Sequence, residues 1–199
     1  LVKKYVQYKS KATTKKEFYK EICNDEGIYI PEFYDVEYNN DGTIKKYVKV
    51  FSSAPDKIER CILEDIDMID FPKNNIVPFI ETVHDRAVVE IFRGCTRGCR
   101  FCQAGMIYRP VRERSKDTII NLAREQIKNT GHDELSLLSL STSDYSNFEP
   151  LAMELMEECK KDNVSLSLPS LRLDSFSFKV LNEIQGYKKS GLTFAPEAG

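Results

Sequence analysis

A cluster of cysteines constrains this 199-residue chain more than any other feature. Cys95, Cys99 and Cys102 form a C-x3-C-x2-C array within one short stretch. An odd set of thiols cannot be used up in disulfides, and this spacing brings the three sulfur atoms to one point of a loop. Soft metals prefer thiolate ligands. The array therefore predicts a thiolate site for a soft metal.

The number of ligands narrows the choice of metal. A structural zinc site uses four nitrogen or sulfur ligands, and the nearest histidines on either side are His84 and His132. Three thiolates without a fourth partner instead suit an iron–sulfur cube whose fourth iron stays open. An open coordination position is what a metal site keeps when it binds a substrate. A zinc or redox loop with three thiols is the alternative.

Strand-like and helix-like segments alternate from Ala87 onward. The apolar run Ala87–Phe92 predicts a buried parallel strand, and the cysteines follow it directly. We predict further strands at 135–140, 164–168 and 192–195, and helices at 115–129, 146–161 and 175–186. Short connections between such elements favour parallel βα units. The functional loops of these units gather at the carboxyl ends of the strands, where the cysteines lie.

Capping residues set the expected ends of these helices. Gly131 is expected to end the first one, because glycine adopts the left-handed conformation that follows many helices. Ser146 and Glu149 have the spacing of a capping box for the second helix. Ser175 is expected to cap the third helix and Gly186 to end it.

Residues 1–86 follow a different pattern, and we predict a small α+β appendage that ends in a linker. The strand-like runs 33–38 and 43–51 flank the turn residues Asn-Asn-Asp-Gly, which predicts a β-hairpin. Pro55 is expected to begin a short helix. The predicted domains are therefore the appendage, 1–86, and a core, 87–199.

The cysteine array, with Phe101 directly before its last member, resembles the signature of the radical S-adenosylmethionine (SAM) superfamily. The longer stretch Val89–Arg114 resembles B12-binding radical SAM proteins of unknown substrate, and this likeness runs from about Ile28 to Gly199. The resemblance implies an α/β fold, a partial (β/α) radical SAM barrel truncated to about four βα units. Because the chain begins at Leu1 and stops after an apolar run, we expect a piece of a longer protein.

The resemblance also implies a radical SAM enzyme. Cys95, Cys99 and Cys102 would hold a [4Fe-4S] cluster, and SAM would chelate the open iron through its amino and carboxylate groups. Reductive cleavage of SAM would give methionine and a 5′-deoxyadenosyl radical that acts on an unknown substrate. The implied partner is an external electron donor such as flavodoxin or ferredoxin. Cobalamin is expected only in a longer protein, because the chain contains no Asp-x-His-x-x-Gly signature.

Two segments are expected to contact SAM on the same grounds. Phe101 would lie beside the adenine, or would anchor the loop as a core residue. The run Ser141–Asp144 stands where the family often has Gly-Gly-Glu. The hydroxyl oxygens of Ser141 and Ser143 would accept hydrogen bonds from the SAM amino group, or would serve turn formation.

Two further side chains complete the SAM site that the resemblance implies. Arg172 would bind the SAM carboxylate, because a guanidinium group forms a paired fork with a carboxylate. An ion pair of Arg172 with Asp174 or Glu197 is the structural alternative. Glu197 would contact the ribose hydroxyls or the substrate.

A run of basic residues surrounds the cysteines, with one acid, Glu113, in its midst. Charge runs usually form a solvated face, which is our first interpretation; offsetting the charge of a metal centre is the second. The third is a phosphate-binding patch with Tyr108 for stacking, which is not favoured because the chain has a net charge of −2. The run consists of Arg93, Arg97, Arg100, Arg109, Arg112, Arg114 and Lys116.

Composition sets the remaining limits. Apolar residues make up 41% and charged residues 30% of the chain, a globular balance, and no apolar run is long enough to cross a membrane. Cysteines without a paired framework favour the reducing cytoplasm. The alternatives to a radical SAM enzyme with an unknown substrate are a non-catalytic iron–sulfur or zinc regulatory module and a methylthiotransferase-like modification of RNA or protein.

Overall fold

The computed structural model describes residues 1–11, 14–80, 82–175, 177–187 and 194–196. Two compact units divide the chain, Leu1–Leu63 and Glu64–Gly199. The stretch 64–86, which the sequence pattern groups with the appendage, falls within the second unit. Within the described ranges, no helix has the length and apolar character needed to cross a membrane.

The first unit contains the predicted β-hairpin. Its helices are α1 (Val2–Ser10) and α2 (Lys15–Ile22), and its antiparallel strands are β1 (Tyr34–Tyr38) and β2 (Ile44–Lys49). A small core of buried side chains holds these elements together, namely Phe18, Ile22, Cys23, Ile30, Phe33 and Ala54.

The short helix expected at Pro55 does not form. No helical turn is present between residues 55 and 63. The backbone of this segment instead accepts hydrogen bonds from distant groups: the Tyr34 hydroxyl donates to the Pro55 carbonyl (2.8 Å) and the Gly27 N–H donates to the Glu59 carbonyl (3.0 Å). Tertiary hydrogen bonds therefore replace the local ones that a helix would supply.

The second unit has the alternating strands and helices that the sequence predicts. Its strands are β3 (Ala87–Glu90), β4 (Phe92–Arg93), β5 (Arg112–Glu113), β6 (Glu134–Leu138), β7 (Ser165–Ser167), β8 (Leu171–Arg172) and β9 (Phe194–Ala195). Its helices are α3 (Ala104–Ile107), α4 (Lys116–Thr130), α5 (Phe148–Lys161) and α6 (Phe178–Tyr187). β3, β6 and β7 form a parallel sheet in that order, and β8 pairs in parallel with β9.

Alternate residues of the parallel sheet form the core beneath the helices. Val89 on β3, Leu135 and Leu137 on β6, and Leu166 on β7 are buried, and α4 and α5 pack on this side of the sheet. Burying one such side chain stabilises a fold by roughly 1.5–3 kcal/mol. The register that this core fixes also brings the carboxyl ends of the three strands to one edge, from which the loops of interest depart.

The ends of α4 and α5 show which capping signals the structure uses. Gly131 ends α4 in the left-handed conformation with φ of 73°, as predicted. The capping box predicted at Ser146 and Glu149 is wrong, because α5 begins at Phe148 and no side chain caps it. The Ser146 N–H instead donates to the Glu113 carboxylate at 2.9 Å. A tertiary acceptor therefore replaces the local one.

The start of α6 differs from the prediction by a few residues. Ser177 rather than Ser175 supplies the hydroxyl, which accepts a hydrogen bond from the Val180 N–H at 3.4 Å. Gly186 lies inside the helix instead of ending it.

The predicted first strand is interrupted, and the interruption closes the loop that carries the cysteines. β3 ends at Glu90, and β4 pairs with β5 in antiparallel fashion. These two short strands form a narrow neck at the base of residues 94–111, here called the cysteine loop. Gly94 in this neck has φ of 96°, and an added Cβ would lie 2.7 Å from the carbonyl oxygens of Tyr108 and Pro110. The loop therefore requires glycine at position 94.

Replacing Gly94 by alanine tests this close approach. Gly131→Ala is the matched control, because Gly131 also has a positive φ but an added Cβ there meets nothing within 4 Å. We expect the control to lose about 1–2 kcal/mol of unfolding free energy from backbone strain alone. Gly94→Ala is expected to lose about 1–3 kcal/mol more, through overpacking. Urea unfolding monitored by circular dichroism measures both, and equal losses would contradict the close approach.

Candidate functional site

The three cysteines lie around one cavity at the carboxyl edge of the sheet. This cavity has a volume of about 210 Å³, and the cysteine loop supplies Cys95, Cys99 and Cys102 to its wall. The segments that follow β6 and β7 supply the opposite wall. The other lining residues are Arg97, Leu140, Ser141, Ser170, Leu171 and Arg172. Side chains far apart in sequence thus line one cavity.

Each cysteine sulfur accepts a hydrogen bond from a nitrogen. The Arg97 N–H lies 3.5 Å from the Cys95 sulfur, and the Gly105 N–H lies 3.4 Å from the Cys102 sulfur. The Arg172 guanidinium reaches the Cys99 sulfur at 3.8 Å. Hydrogen bonds to ligand sulfurs tune the metal that those sulfurs hold. The three sulfur atoms therefore have an environment suited to metal ligands.

The two candidate metal groups, a single zinc ion and an iron–sulfur cube, need different arrangements of their ligands. In the part of the chain that the structure describes, no three His, Cys, Asp or Glu side chains come close enough to share one metal ion. A zinc site needs such convergence, because all of its ligands bind one atom. In an iron–sulfur cube each thiolate binds a different iron. Three separate thiols around one cavity fit the cube.

Arg97 fastens the cysteine loop to the segment that follows β6. Its guanidinium donates two hydrogen bonds to the Asp144 carboxylate, one of them from Nε at 2.8 Å. The Ser141 hydroxyl donates to the same carboxylate at 2.7 Å. The Arg97 guanidinium, more than the hydroxyl of Ser141, holds the pKa of Asp144 below its usual range. The carboxylate therefore stays ionised and the attachment persists at neutral pH.

Arg172 forms a second ion pair beside the first. Its guanidinium donates a paired fork to the Asp174 carboxylate, with both nitrogen–oxygen distances at 3.0 Å. Asp174 also accepts from Arg97 at 3.3 Å. The Arg172 guanidinium lowers the pKa of Asp174. Arginine and aspartate thus alternate from Asp144 through to Arg172, which touches the Cys99 sulfur.

The predicted SAM contacts of the Ser141–Asp144 run fall in different surroundings. Ser141 lines the cavity. Ser143 is buried and is absent from the described lining; its hydroxyl lies 2.8 Å from that of Ser175 and 3.4 Å from the donating N–H of Arg172. The Thr142 N–H donates to the Ser170 carbonyl at 3.2 Å. This run therefore joins two neighbouring loops, with Ser141 directed to the cavity.

Phe101 is not among the residues that line the cavity. The Phe101 side chain is 66% exposed, so the expectation that it anchors the loop as a core residue is wrong. Its predicted contact with adenine stays a prediction. Glu197 lies outside the described residues.

Most members of the basic run have partners within the protein, and the buried Arg114 does not fit the interpretation of a solvated face. Arg114 is 1% exposed and donates to the carbonyl oxygens of Glu90 and Ile66. The remaining members have varied partners: Arg93 pairs with Glu90, Arg109 donates to the Cys95 carbonyl, Arg112 donates to the Tyr108 and Pro110 carbonyls, Lys116 pairs with Glu154, and Arg100 is exposed. Few of these cations are left to form a phosphate-binding patch.

A second cavity of about 250 Å³ lies beside the first. Its wall is largely apolar and includes Phe92, Tyr108 and Leu138, together with the Glu90–Arg93 ion pair. Leu140 lines both cavities and forms part of their shared wall. The sequence analysis did not predict this cavity, because its lining residues carry no motif.

The role of Arg97 does not follow from its local sequence, where it is one member of the basic run between two cysteines. The acceptors that give it a role, Asp144 and Asp174, are 47 and 77 residues away along the chain. Asp174 was foreseen only as an alternative partner of Arg172. An arginine inside the cysteine array and an aspartate after each of two later strands are the signals that would have indicated this network.

Comparison with known proteins assigns the fold and site to a family. Residues 89–199 match the family model of the radical SAM superfamily, and this chain belongs to that superfamily. Its members characteristically use a [4Fe-4S] cluster and SAM, with an electron donor as a typical partner. The match begins within β3 and includes the whole cysteine loop.

Two curated proteins resemble the chain. It is 31% identical over 163 residues to an uncharacterized protein of Methanocaldococcus jannaschii, covering 82% of this chain and 34% of that protein. It is 30% identical over 109 residues to the ribosomal protein uS12 methylthiotransferase RimO of Clostridium novyi, covering 55% of this chain and 23% of that protein. The chain thus spans about a third or less of the length of these relatives.

A double-mutant cycle tests the attachment between Arg97 and Asp144. We expect Arg97→Gln, Asp144→Asn and the double variant to show a coupling of about 1–2 kcal/mol at pH 7, because the pair shares two hydrogen bonds to a largely buried carboxylate. Urea unfolding of the iron-free protein gives the values. The exposed pair Lys179–Glu149 is the control, with an expected coupling below about 1 kcal/mol.

The pH dependence of this coupling has a definite sign. The pKa of Asp144 is lowered in the folded protein, so the stabilisation is fully present above the pKa of an unfolded aspartate, about 3.9. It is lost as the pH falls from there through the lowered value in the folded protein. A coupling near zero at pH 7, or one that grows as the pH falls below 4, would contradict the ion pair.

Proposed function

We propose that Cys95, Cys99 and Cys102 bind a [4Fe-4S] cluster and that the protein cleaves SAM reductively to act on an unknown substrate. The observation that carries the proposal is the cavity at the carboxyl edge of the sheet, which all three thiols line together with Ser141 and Arg172. Membership of the radical SAM superfamily supports the same reaction class. When bound, such a cluster supplies a low-potential electron to SAM.

The protein's own residues have two tasks in this proposal. The thiols hold the cluster, and the N–H groups of Arg97 and Gly105 direct hydrogen bonds at two of them. Leu140 and Leu171 contribute apolar surface to the wall of the cavity. Both tasks suit a site where a reactive radical must meet only its intended partner.

Polar groups opposite the thiols are the proposed contacts for SAM. Ser141 and the carboxylate of Asp144 offer acceptors for the SAM amino group, because an ionised carboxylate keeps lone pairs beyond those that Arg97 uses. Ser143 supports this turn, and Arg172 offers guanidinium N–H groups to the SAM carboxylate. Phe101 is proposed to cover the adenine from the exposed side of the loop, and Glu197 to contact the ribose or the substrate.

A methylthiotransferase reaction is the second candidate, favoured by the likeness to the uS12 methylthiotransferase. Such a reaction usually requires a second cluster or another sulfur source. The cysteines outside the array are Cys23 and Cys159, which are buried, and Cys61, which is exposed. A second triad is thus absent from this chain, and any second cluster would be held by another part of a longer protein.

The finer assignments rest on the resemblance noted in the sequence. Cobalamin, if used, would be held by another part of a longer protein, because the chain has no Asp-x-His-x-x-Gly signature. None of the six cysteines forms a disulfide bond, which supports a proposed location in the reducing cytoplasm. A flavodoxin or ferredoxin is the proposed electron donor.

Iron content tests the proposed cluster. We expect anaerobically reconstituted protein to bind about four irons per chain and to lose them in Cys95→Ala, Cys99→Ala and Cys102→Ala, because each thiolate holds one iron. Cys61→Ala is the control, since that thiol is exposed and lies outside the array. Iron analysis and the visible absorption spectrum measure the result.

Several outcomes would change this assignment. Full iron content in Cys99→Ala would contradict the assignment of the cluster to these three cysteines. A colourless protein with one zinc per chain would favour the regulatory module. An iron count near eight in a longer form of the protein would favour the methylthiotransferase.

The proposed clamp for the SAM carboxylate is tested at Arg172. Arg172→Ala is expected to weaken SAM binding roughly ten- to a hundredfold, because a charged hydrogen bond contributes about 1.5–3 kcal/mol. Asp174→Asn frees the same fork and is the control, expected to bind SAM at least as tightly as the wild type. Phe101→Ala should keep its iron, because that side chain is exposed. The change that SAM causes in the spectrum of the reduced cluster measures its affinity. Weaker SAM binding in both Arg172→Ala and Asp174→Asn would contradict the clamp and would show that the Arg172–Asp174 ion pair has a structural role.

A further inference from the structure

The Cys99 sulfur accepts its hydrogen bond from a different kind of donor than the other two cysteine sulfurs do. The donors to Cys95 and Cys102 are backbone N–H groups of the cysteine loop itself. The donor to Cys99 is the guanidinium of Arg172, 73 residues further along the chain. Among the described donors to the three sulfurs, this guanidinium alone carries a full positive charge.

Contacts with Asp174 hold the Arg172 guanidinium in position beside the sulfur. Nε and Nη2 of Arg172 bind the two Asp174 oxygens, which leaves Nη1 directed to the sulfur. Asp174 is itself held by Arg97, and Arg97 by Asp144. The Arg172 side chain is only 15% exposed. A planar fork held in this way has one orientation.

The charges of this network cancel, so the position of each charge matters more than their sum. Arg97 and Arg172 offset Asp144 and Asp174, so the four side chains together are neutral. A positive charge nevertheless lies 3.8 Å from the Cys99 sulfur. Reduction of an iron–sulfur cluster adds one negative charge, which a close cation and a hydrogen bond to sulfur stabilise.

We propose that Arg172 is a positioning residue that raises the reduction potential of the cluster through its hydrogen bond to Cys99, with Asp174 holding its fork in place. This inference rests on the cluster proposed above. It is separate from the SAM clamp, because it concerns the protein before SAM binds. The loops that follow β4 and β8 thus act together on the electron that the cluster receives.

Three variants of the reconstituted protein test this role. Arg172→Gln removes the charge, and Arg172→Lys keeps the charge but cannot hold Asp174 and Cys99 with one planar group. Arg100→Gln removes an exposed charge from the cysteine loop. The midpoint potential of the cluster is measured by dithionite titration followed by electron paramagnetic resonance. SAM is absent, and potentials are compared only among samples of equal iron content.

The expected order of potentials is specific. Arg172→Gln should make reduction at least about tenfold less favourable, which is about 59 mV for one electron, in keeping with the size of other effects from groups that contact metal ligands. Arg172→Lys should show a smaller fall, and Arg100→Gln a smaller one still. If Arg172→Gln loses its iron, a lowered potential in Arg172→Lys supports the proposal.

Two results would overturn the inference, and they differ from failure of the proposed function. Potentials in both Arg172 variants equal to that of the wild type would show that the hydrogen bond does not tune the cluster. A fall in Arg100→Gln as large as in Arg172→Gln would show that any nearby charge suffices. Failure of the proposed function is a different observation, namely wild-type protein that binds no cluster.

Discussion

Salt bridges between arginine and aspartate side chains hold the cysteine loop against the ends of the parallel sheet. The loop begins at a two-residue strand and contains only one short helix, so its own secondary structure fixes little of its position. Arg97 joins it to Asp144 and Asp174, which follow β6 and β8. A cavity lined by three thiols keeps its shape only if its two walls are joined, and these pairs join them. The rest of the site depends on this attachment.

The parallel sheet and the thiol array were predictable because their signals are local. Strand-like runs of five or six residues predicted β3, β6 and β7 to within two residues at every end, and cysteine spacing requires no knowledge of the fold. The start of α5 was not predictable, because the Ser146 N–H finds its acceptor in Glu113, 33 residues away. Local capping rules cannot weigh an acceptor that folding brings close.

The basic run shows that the same limit of local sequence rules applies to charged residues. Sequence alone counts charges, whereas the structure determines which of them water can reach. Arg114 is buried, with carbonyl oxygens of Glu90 and Ile66 as acceptors and the Phe71 ring 5.4 Å from its guanidinium carbon. Burial of a guanidinium is costly unless its donors are satisfied, and here Nε and Nη1 have acceptors whereas Nη2 has none among the described residues. The stretch around Ile66 therefore packs with the second unit, although its composition is that of a linker.

Leu140 forms part of the wall of two cavities, one lined by the thiols and one lined by Phe92, Tyr108 and Leu138. A ligand that displaces this side chain from one cavity takes volume from the other. Binding in the two spaces is then linked thermodynamically, and the linkage is reciprocal: whatever factor the first occupant applies to the affinity of the second, the second applies to the first. A single leucine would thereby make occupancy of the two cavities conditional on each other.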